Sequence, residues 1–125
     1  MVEVGDAWTI VTRALVVDDN EQFLASARRL LEAGDVAVTV ASGGAEAIRL
    51  ARELRPEIAL VDVDLGEEGG FDVAESLAAL DAAPVVVLVS THVDHELGEL
   101  VASSSAAGFL PKSQLDAGAL RAFLD

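Results

Sequence analysis

The sequence predicts an α/β domain of the doubly wound kind, a parallel sheet with helices on both faces. Short continuous apolar runs alternate with segments of helical period, and the alternation is strict over five strand–helix pairs. The apolar runs show no in–out alternation, which marks strands buried on both faces rather than half-exposed antiparallel ones. At 125 residues the chain suits one compact domain with a core large enough to stand without cross-links.

The strands read in order as RALVV 13–17, VAVTV 36–40, IALVD 58–62, PVVVLVS 84–90 and AAGFL 106–110. The first helix spans 20–33: Phe23, Leu24, Ala27, Leu30 and Leu31 share a face, Asn20 is the N-cap and Gly34 the stop. In 43–55 the stripe is Ala47, Leu50, Ala51 and Leu54, and Pro56 ends it. Val73, Leu77 and Leu80 mark a third helix, and a weaker fourth covers about 94–103 before SSSAAG. The fifth starts at Ser113, with Asp116 in capping-box position and Leu115, Ala119, Leu120 and Phe123 inward. Gly43-Gly44 opens the second helix with no lysine or wider glycine pattern, so no nucleotide loop is implied.

Composition narrows the function classes. There is no cysteine, which excludes disulfides and thiolate metal sites. The formal net charge of −14 repels nucleic acid and anionic membrane, so neither direct nucleic-acid binding nor membrane association is expected. Residues 1–12 contain no continuous apolar stretch of the kind a secretory signal needs, and no run is long enough to span a bilayer. A cytoplasmic domain is expected, with residues 1–12, Trp8 among them, as an N-terminal extension and 13–125 as the domain.

In doubly wound sheets, ligands bind beyond the carboxyl ends of the strands. The first strand ends in Asp18-Asp19, the third in Asp62 with Asp64 just beyond, and the fourth in Ser90-Thr91-His92; Lys112 follows the fifth. Asp18, Asp19 and Asn20 also suit helix capping, and Ser90 or Lys112 alone would be unremarkable. Together they put three carboxylates, a hydroxyl and an ammonium on one rim. Clustered carboxylates call for a cation, and oxygen ligands on a shallow rim suit Mg²⁺. That set is equipped to accept a phosphoryl group. His92 and His95 have a spacing that could ligate zinc, but two ligands do not make a zinc site.

The motifs LVVDDN 15–20, LVDVDLGEEGG 60–70, Ser90 after VVVLV, and GFLPKS 108–113 resemble the receiver domain of two-component response regulators (CheY-like) over residues 13–124. The resemblance implies a flavodoxin-like five-stranded parallel sheet of order 2-1-3-4-5 with five helices. It makes Asp62 the phosphoacceptor, charged by a histidine kinase or phosphotransfer protein in a phosphorelay, and able to catalyse its own Mg²⁺-dependent phosphorylation and dephosphorylation. In the metal site Asp19 becomes a direct Mg²⁺ ligand, Asp18 the holder of a metal-bound water and Asp64 the donor of a backbone carbonyl, with Asp62 completing the set. Lys112 and Ser90 contact the phosphoryl group, Phe109 is the aromatic switch, and Asp64 and His92 tune dephosphorylation. Gly70 matches the glycine that lets the chain turn before the third helix. The output face would be the fourth helix, fifth strand and fifth helix, with homodimerisation on phosphorylation a further expectation.

Two departures stand out. Leu65-Gly66 replaces a common Met-Pro pair, which predicts a looser loop, and Pro111 precedes Lys112 rather than following it, which leaves the lysine less constrained. Phe109 lacks the hydroxyl of the frequent tyrosine. The chain reads as a stand-alone receiver. The competing functions are the receiver portion of a DNA-binding regulator, a Mg²⁺-dependent phosphatase using DVD 62–64 as an Asp-x-Asp pair, and a degenerate receiver that binds a partner without phosphorylation. The last has no use for Asp18, Asp19, Asp62, Ser90 and Lys112.

Overall fold

The computed structural model describes residues 12–92 and 95–124. Residues 1–11 of the expected N-terminal extension 1–12, Trp8 among them, and the first residue of the expected fourth helix lie outside them, while Thr12 opens the first strand. Five parallel strands form one sheet: β1 (Thr12–Val17), β2 (Val36–Ala41), β3 (Ile58–Asp62), β4 (Val85–Ser90) and β5 (Gly108–Pro111), in the order β2-β1-β3-β4-β5. The helices are α1 (Glu21–Glu32), α2 (Gly44–Leu54), α3 (Gly70–Ala78), α4 (His95–Ala102) and α5 (Ala117–Ala122). The expected fold class and strand order are therefore correct.

The sheet divides the core into two layers, because alternate residues of each strand face opposite sides. On one face Ala14, Val16, Ile58, Leu60, Val87 and Val89 meet Leu24, Leu31 and Leu120 of α1 and α5. On the other, Leu15, Val17, Val61 and Leu88 meet Ala47, Ala51, Val73 and Leu77 of α2 and α3. β3 is buried along its whole length, which fits its central place and its unbroken apolar run.

Element ends follow local chemistry with three differences from expectation. Asn20 caps α1, its side chain accepting from Phe23 N–H at 3.1 Å. The reversal after α1, however, is made by Asp35 at φ 65°, not by Gly34. Gly34 is small for another reason: a Cβ there would collide with Ala117 of α5. The fifth helix starts later than Ser113, because Leu115 is extended and buried, and Asp116 is itself the N-cap, accepting from Ala119 N–H at 2.7 Å. Lys112–Gln114 form a separate 3₁₀ turn. β5 begins two residues later than expected, at Gly108, where a Cβ would press on the Phe123 ring.

Candidate functional site at the carboxyl edge of the sheet

β1, β3 and β4 end side by side, so their last residues share one rim. Asp62 pairs with Val89 in register, one residue before Ser90. Asp18 follows β1 and is fully buried, while Asp62 and Ser90 are buried and Asp19 is exposed. One carboxylate oxygen from each of Asp18, Asp19 and Asp62 lies within 4.8 Å of the others. The Lys112 ammonium enters from the β5 side, 2.7 Å from Asp18 Oδ2 and 3.6 Å from Asp62 Oδ1.

The three carboxylates are not equivalent. Asp18 Oδ1 accepts from Asn20 N–H at 2.9 Å, which ties the site to the start of α1. Its Oδ2 is buried without an aligned hydrogen bond, although the Lys112 charge sits beside it. For Asp62, burial raises the carboxyl above its usual range, and the Asp18 charge raises it further. The Lys112 charge and the Asp64 N–H oppose that shift without cancelling it, and the Asp64 charge adds slightly to it. A buried carboxylate crowded by its neighbours, beside an incompletely satisfied oxygen, fits a divalent cation of the oxygen-loving kind.

The loop after β3 is held at many points. Gly66 N–H donates to the Asp64 carbonyl at 2.9 Å, Gly69 N–H to Leu65 O at 3.1 Å and Gly70 N–H to Val63 O at 3.0 Å. Gly66 and Gly69 occupy the left-handed region at φ 52° and 79°. Gly70 does not; it is needed because a Cβ would overlap the Asp62 carbonyl, where α3 presses against the end of β3. Leu65 is buried in the core, and the Glu68 carboxylate caps α2, accepting from Gly44 N–H at 3.0 Å and 3.2 Å. The looser loop expected from the absence of Met-Pro is not what forms, and Lys112 is well placed without a following proline.

Asp64, Ser90 and His92 line a groove between this loop and α4, together with Glu96, Leu97 and Leu100. His92 N–H donates to Ser90 Oγ at 3.2 Å. The Asp64 side chain is exposed. Phe109 is half-buried against the α2–α3 layer. Sequence reasoning missed Phe23, whose ring centroid lies 4.4 Å from the Lys112 ammonium. Its helical spacing marks it as a core residue, and nothing in that spacing points to the lysine.

A family model for the response regulator receiver domain matches residues 14–125. The chain belongs to that family. Receiver domains are typically phosphoacceptor signalling modules of the two-component kind, and they pair with histidine kinases. The Asp18–Asp19–Asp62 cluster corresponds to the acidic metal site typical of receivers. The DNA-binding transcriptional activator EvgA of Escherichia coli is 29% identical over 102 residues, which are 81% of this chain and 50% of EvgA. The transcriptional regulatory protein PrrA of Mycobacterium leprae is 38% identical over 94 residues, 74% of this chain and 40% of PrrA. The chain thus spans about half the length of the curated relatives it matches. Among solved structures, the receiver domain of the response regulator NarL from Mycobacterium tuberculosis superposes with TM-score 0.79 at 30% identity, covering 91% of this chain and 94% of that one. A response regulator from Burkholderia pseudomallei with a phosphorylated aspartic acid and a calcium ion gives TM-score 0.79 at 26% identity, over 91% of this chain and 66% of that one. Among the described residues, no helix is long and apolar enough to cross a membrane.

Proposed function

We propose that Asp62 accepts a phosphoryl group from a histidine kinase or histidine phosphotransfer protein, and that this chain is the Mg²⁺-dependent receiver of a cytoplasmic phosphorelay. The observation that carries the proposal is the buried Asp62 carboxylate, clustered with Asp18 and Asp19 and 3.6 Å from Lys112.

In the transfer, an Asp62 oxygen attacks phosphorus in line, the bond from phosphorus to the donor imidazole breaks, and the imidazole leaves with that electron pair. Asp18, Asp19, Asp62 and the Asp64 carbonyl would hold the Mg²⁺, which would supply charge neutralisation to the transferring oxygens. The Asp64 carbonyl already accepts Gly66 N–H and keeps a second lone pair for that purpose. Lys112 neutralises charge on the opposite side. The Ser90 hydroxyl accepts from His92 N–H, so its own proton remains to donate to a phosphoryl oxygen. Asp64 and His92 flank the groove through which water reaches the acyl phosphate, a position suited to tuning its hydrolysis.

Residues 13–125, together with Thr12 at the start of β1, would make up the receiver and the residues before them an extension, and output would run through protein contacts on the α4–β5–α5 face, with dimerisation on phosphorylation and Phe109 as the switch. The DNA-binding activity in EvgA's name belongs to a protein of twice the aligned length. The net charge of −14 disfavours that role for the present residues. We place the receiver reading above the Asp-x-Asp phosphatase because the receiver family model matches residues 14–125 and DVD 62–64 follows the third strand rather than the first.

Intact-mass analysis with Mg²⁺ and acetyl phosphate tests this. One phosphoryl group per chain is expected, absent in Asp62→Asn and retained in Asp64→Asn. Sustained turnover of a phosphomonoester that depends on Asp64 would overturn the receiver reading, and an unlabelled wild type would remove the phosphoacceptor role.

A further inference from the structure

Lys112 is held from two sides, and only one of them is charged. Its ammonium sits 2.7 Å from Asp18 Oδ2, 3.6 Å from Asp62 Oδ1 and 4.4 Å from the centroid of the Phe23 ring. The last distance is within the range of a cation–π contact, in which the negative face of the ring attracts the cation. Phe23 is not free to drift. Its N–H donates to Asn20 Oδ1 at 3.1 Å, and Asn20 N–H donates to Asp18 Oδ1 at 2.9 Å. The circuit Asp18–Asn20–Phe23–Lys112–Asp18 is therefore closed.

The geometry raises a problem that the ring resolves. In this arrangement the ammonium lies nearer to Asp18 than to Asp62, the carboxylate proposed to be phosphorylated. A divalent cation at the cluster would compete with Lys112 for the Asp18 charge. Once that hold weakens, a lysine on a flexible four-carbon stem is free to swing toward water. Lys112 is largely buried, and the Phe23 face is an uncharged surface that keeps attracting the ammonium whatever happens at Asp18. We infer that Phe23 is a positioning residue for phosphoryl transfer: its aromatic face holds the Lys112 ammonium beside Asp62 while the carboxylates are engaged elsewhere. The inference rests on the phosphoacceptor reading of Asp62.

The role makes a specific kinetic demand. Phe23 does not touch the donor, so its loss should slow the labelling step and leave the donor concentration for half-maximal rate unchanged. Acetyl phosphate labelling of Asp62 in Mg²⁺, followed by intact mass, measures both. Phe23→Leu should label about five- to thirtyfold more slowly at saturating donor, the range of a desolvated cation–π contact. Phe23→Tyr and Phe23→Trp, which keep a π face, should stay within about threefold of wild type. Phe23→Met serves as a second non-aromatic variant if Phe23→Leu does not fold, with melting curves recorded for all. In a Lys112→Met background, Phe23→Leu should cost nothing more.

A wild-type rate in Phe23→Leu or Phe23→Met would overturn the inference while leaving Asp62 as phosphoacceptor. An undiminished loss in the Lys112→Met background would also overturn it, by showing that the ring acts through packing alone. A wild type that takes no label removes the phosphoacceptor reading and the inference with it.

Discussion

Replacing Asp62 with asparagine should stabilise the protein when no divalent cation is present, although the substitution removes a charge that faces Lys112. The opposing effects can be weighed from the geometry. At an effective dielectric of about 20, unit charges on carboxylate oxygens within 4.8 Å of each other repel by at least about 3.5 kcal/mol, whereas Lys112 at 3.6 Å attracts Asp62 by about 4.6 kcal/mol. These nearly cancel. What remains is the cost of burying the Asp62 charge, together with a solvent-screened repulsion from exposed Asp19. The net gain from Asp62→Asn should be about 1–2 kcal/mol, or about 3–6 °C in melting temperature for a chain of this size. The sign with pH follows from the raised Asp62 carboxyl, since the folded protein binds that proton more tightly than the unfolded chain. Protonation relieves the wild type as pH falls through the raised value toward the ordinary carboxylate range. The asparagine advantage is therefore largest at neutral pH and vanishes at about pH 4 and below. Mg²⁺ at about ten times its dissociation constant should return about 1.4 kcal/mol to the wild type and less to the variant. Melting curves in EDTA at about pH 7.5 and pH 4.5, then with Mg²⁺, measure all three effects. A variant that melts at or below the wild type in EDTA at neutral pH, or a gap that ignores pH, would refute the reasoning.

Gly70→Ala should destabilise by about 3 kcal/mol or more in thermal or urea unfolding, because its Cβ would overlap the Asp62 carbonyl at the junction of β3 and α3. Gly98→Ala should stabilise by about 0.5–1 kcal/mol in the same assay, since that position lies inside α4 and a Cβ there meets nothing within 4 Å. Glu68→Ala should cost about 1 kcal/mol, and Glu68→Gln less, because glutamine keeps an acceptor for Gly44 N–H and gives up only the charge at the helix terminus.

The strands and their rim are legible in the sequence because burial on both faces leaves an unbroken apolar run, and the functional side chains follow those runs in the chain. The order of residues alone thus brings Asp18, Asp62, Ser90 and Lys112 together, and it also marks the Asn20 cap and the Pro56 stop. What escapes depends on contacts between distant segments. Gly34 has the look of a helix stop, but its size is dictated by Ala117, and the left-handed turn falls on Asp35. The start of α5 is ambiguous because Ser113 and Asp116 both offer capping chemistry. Only the burial of extended Leu115 chooses between them. Phe23 has the same spacing as a core residue whether or not a lysine from the turn after β5 arrives over its ring.

The loop that carries Asp64 shows the same limit acting on function. From sequence, Leu65-Gly66 in place of Met-Pro means one rigid residue fewer and a less constrained backbone around the carbonyl proposed to serve the metal. The structure replaces that local stiffness with anchors from outside the loop. Leu65 is driven into the core, 1% exposed, and Glu68 reaches across to the N-terminus of α2. Gly66 and Gly69 supply the left-handed turns that let both anchors be satisfied in so short a segment. Proline would have stiffened this loop independently of its surroundings. Here its order depends on α2, so a change at the start of α2 is transmitted to the Asp64 carbonyl. Gly44 is the sensitive point, because a Cβ there would collide with the Glu68 carboxylate and crowd Val73 at 2.9 Å. Gly44→Ala should therefore weaken the Mg²⁺-dependent rise in melting temperature as well as basal stability, although residue 44 touches none of the three carboxylates. A variant that loses basal stability but keeps the full Mg²⁺ shift would show that the loop holds the carbonyl without help from α2.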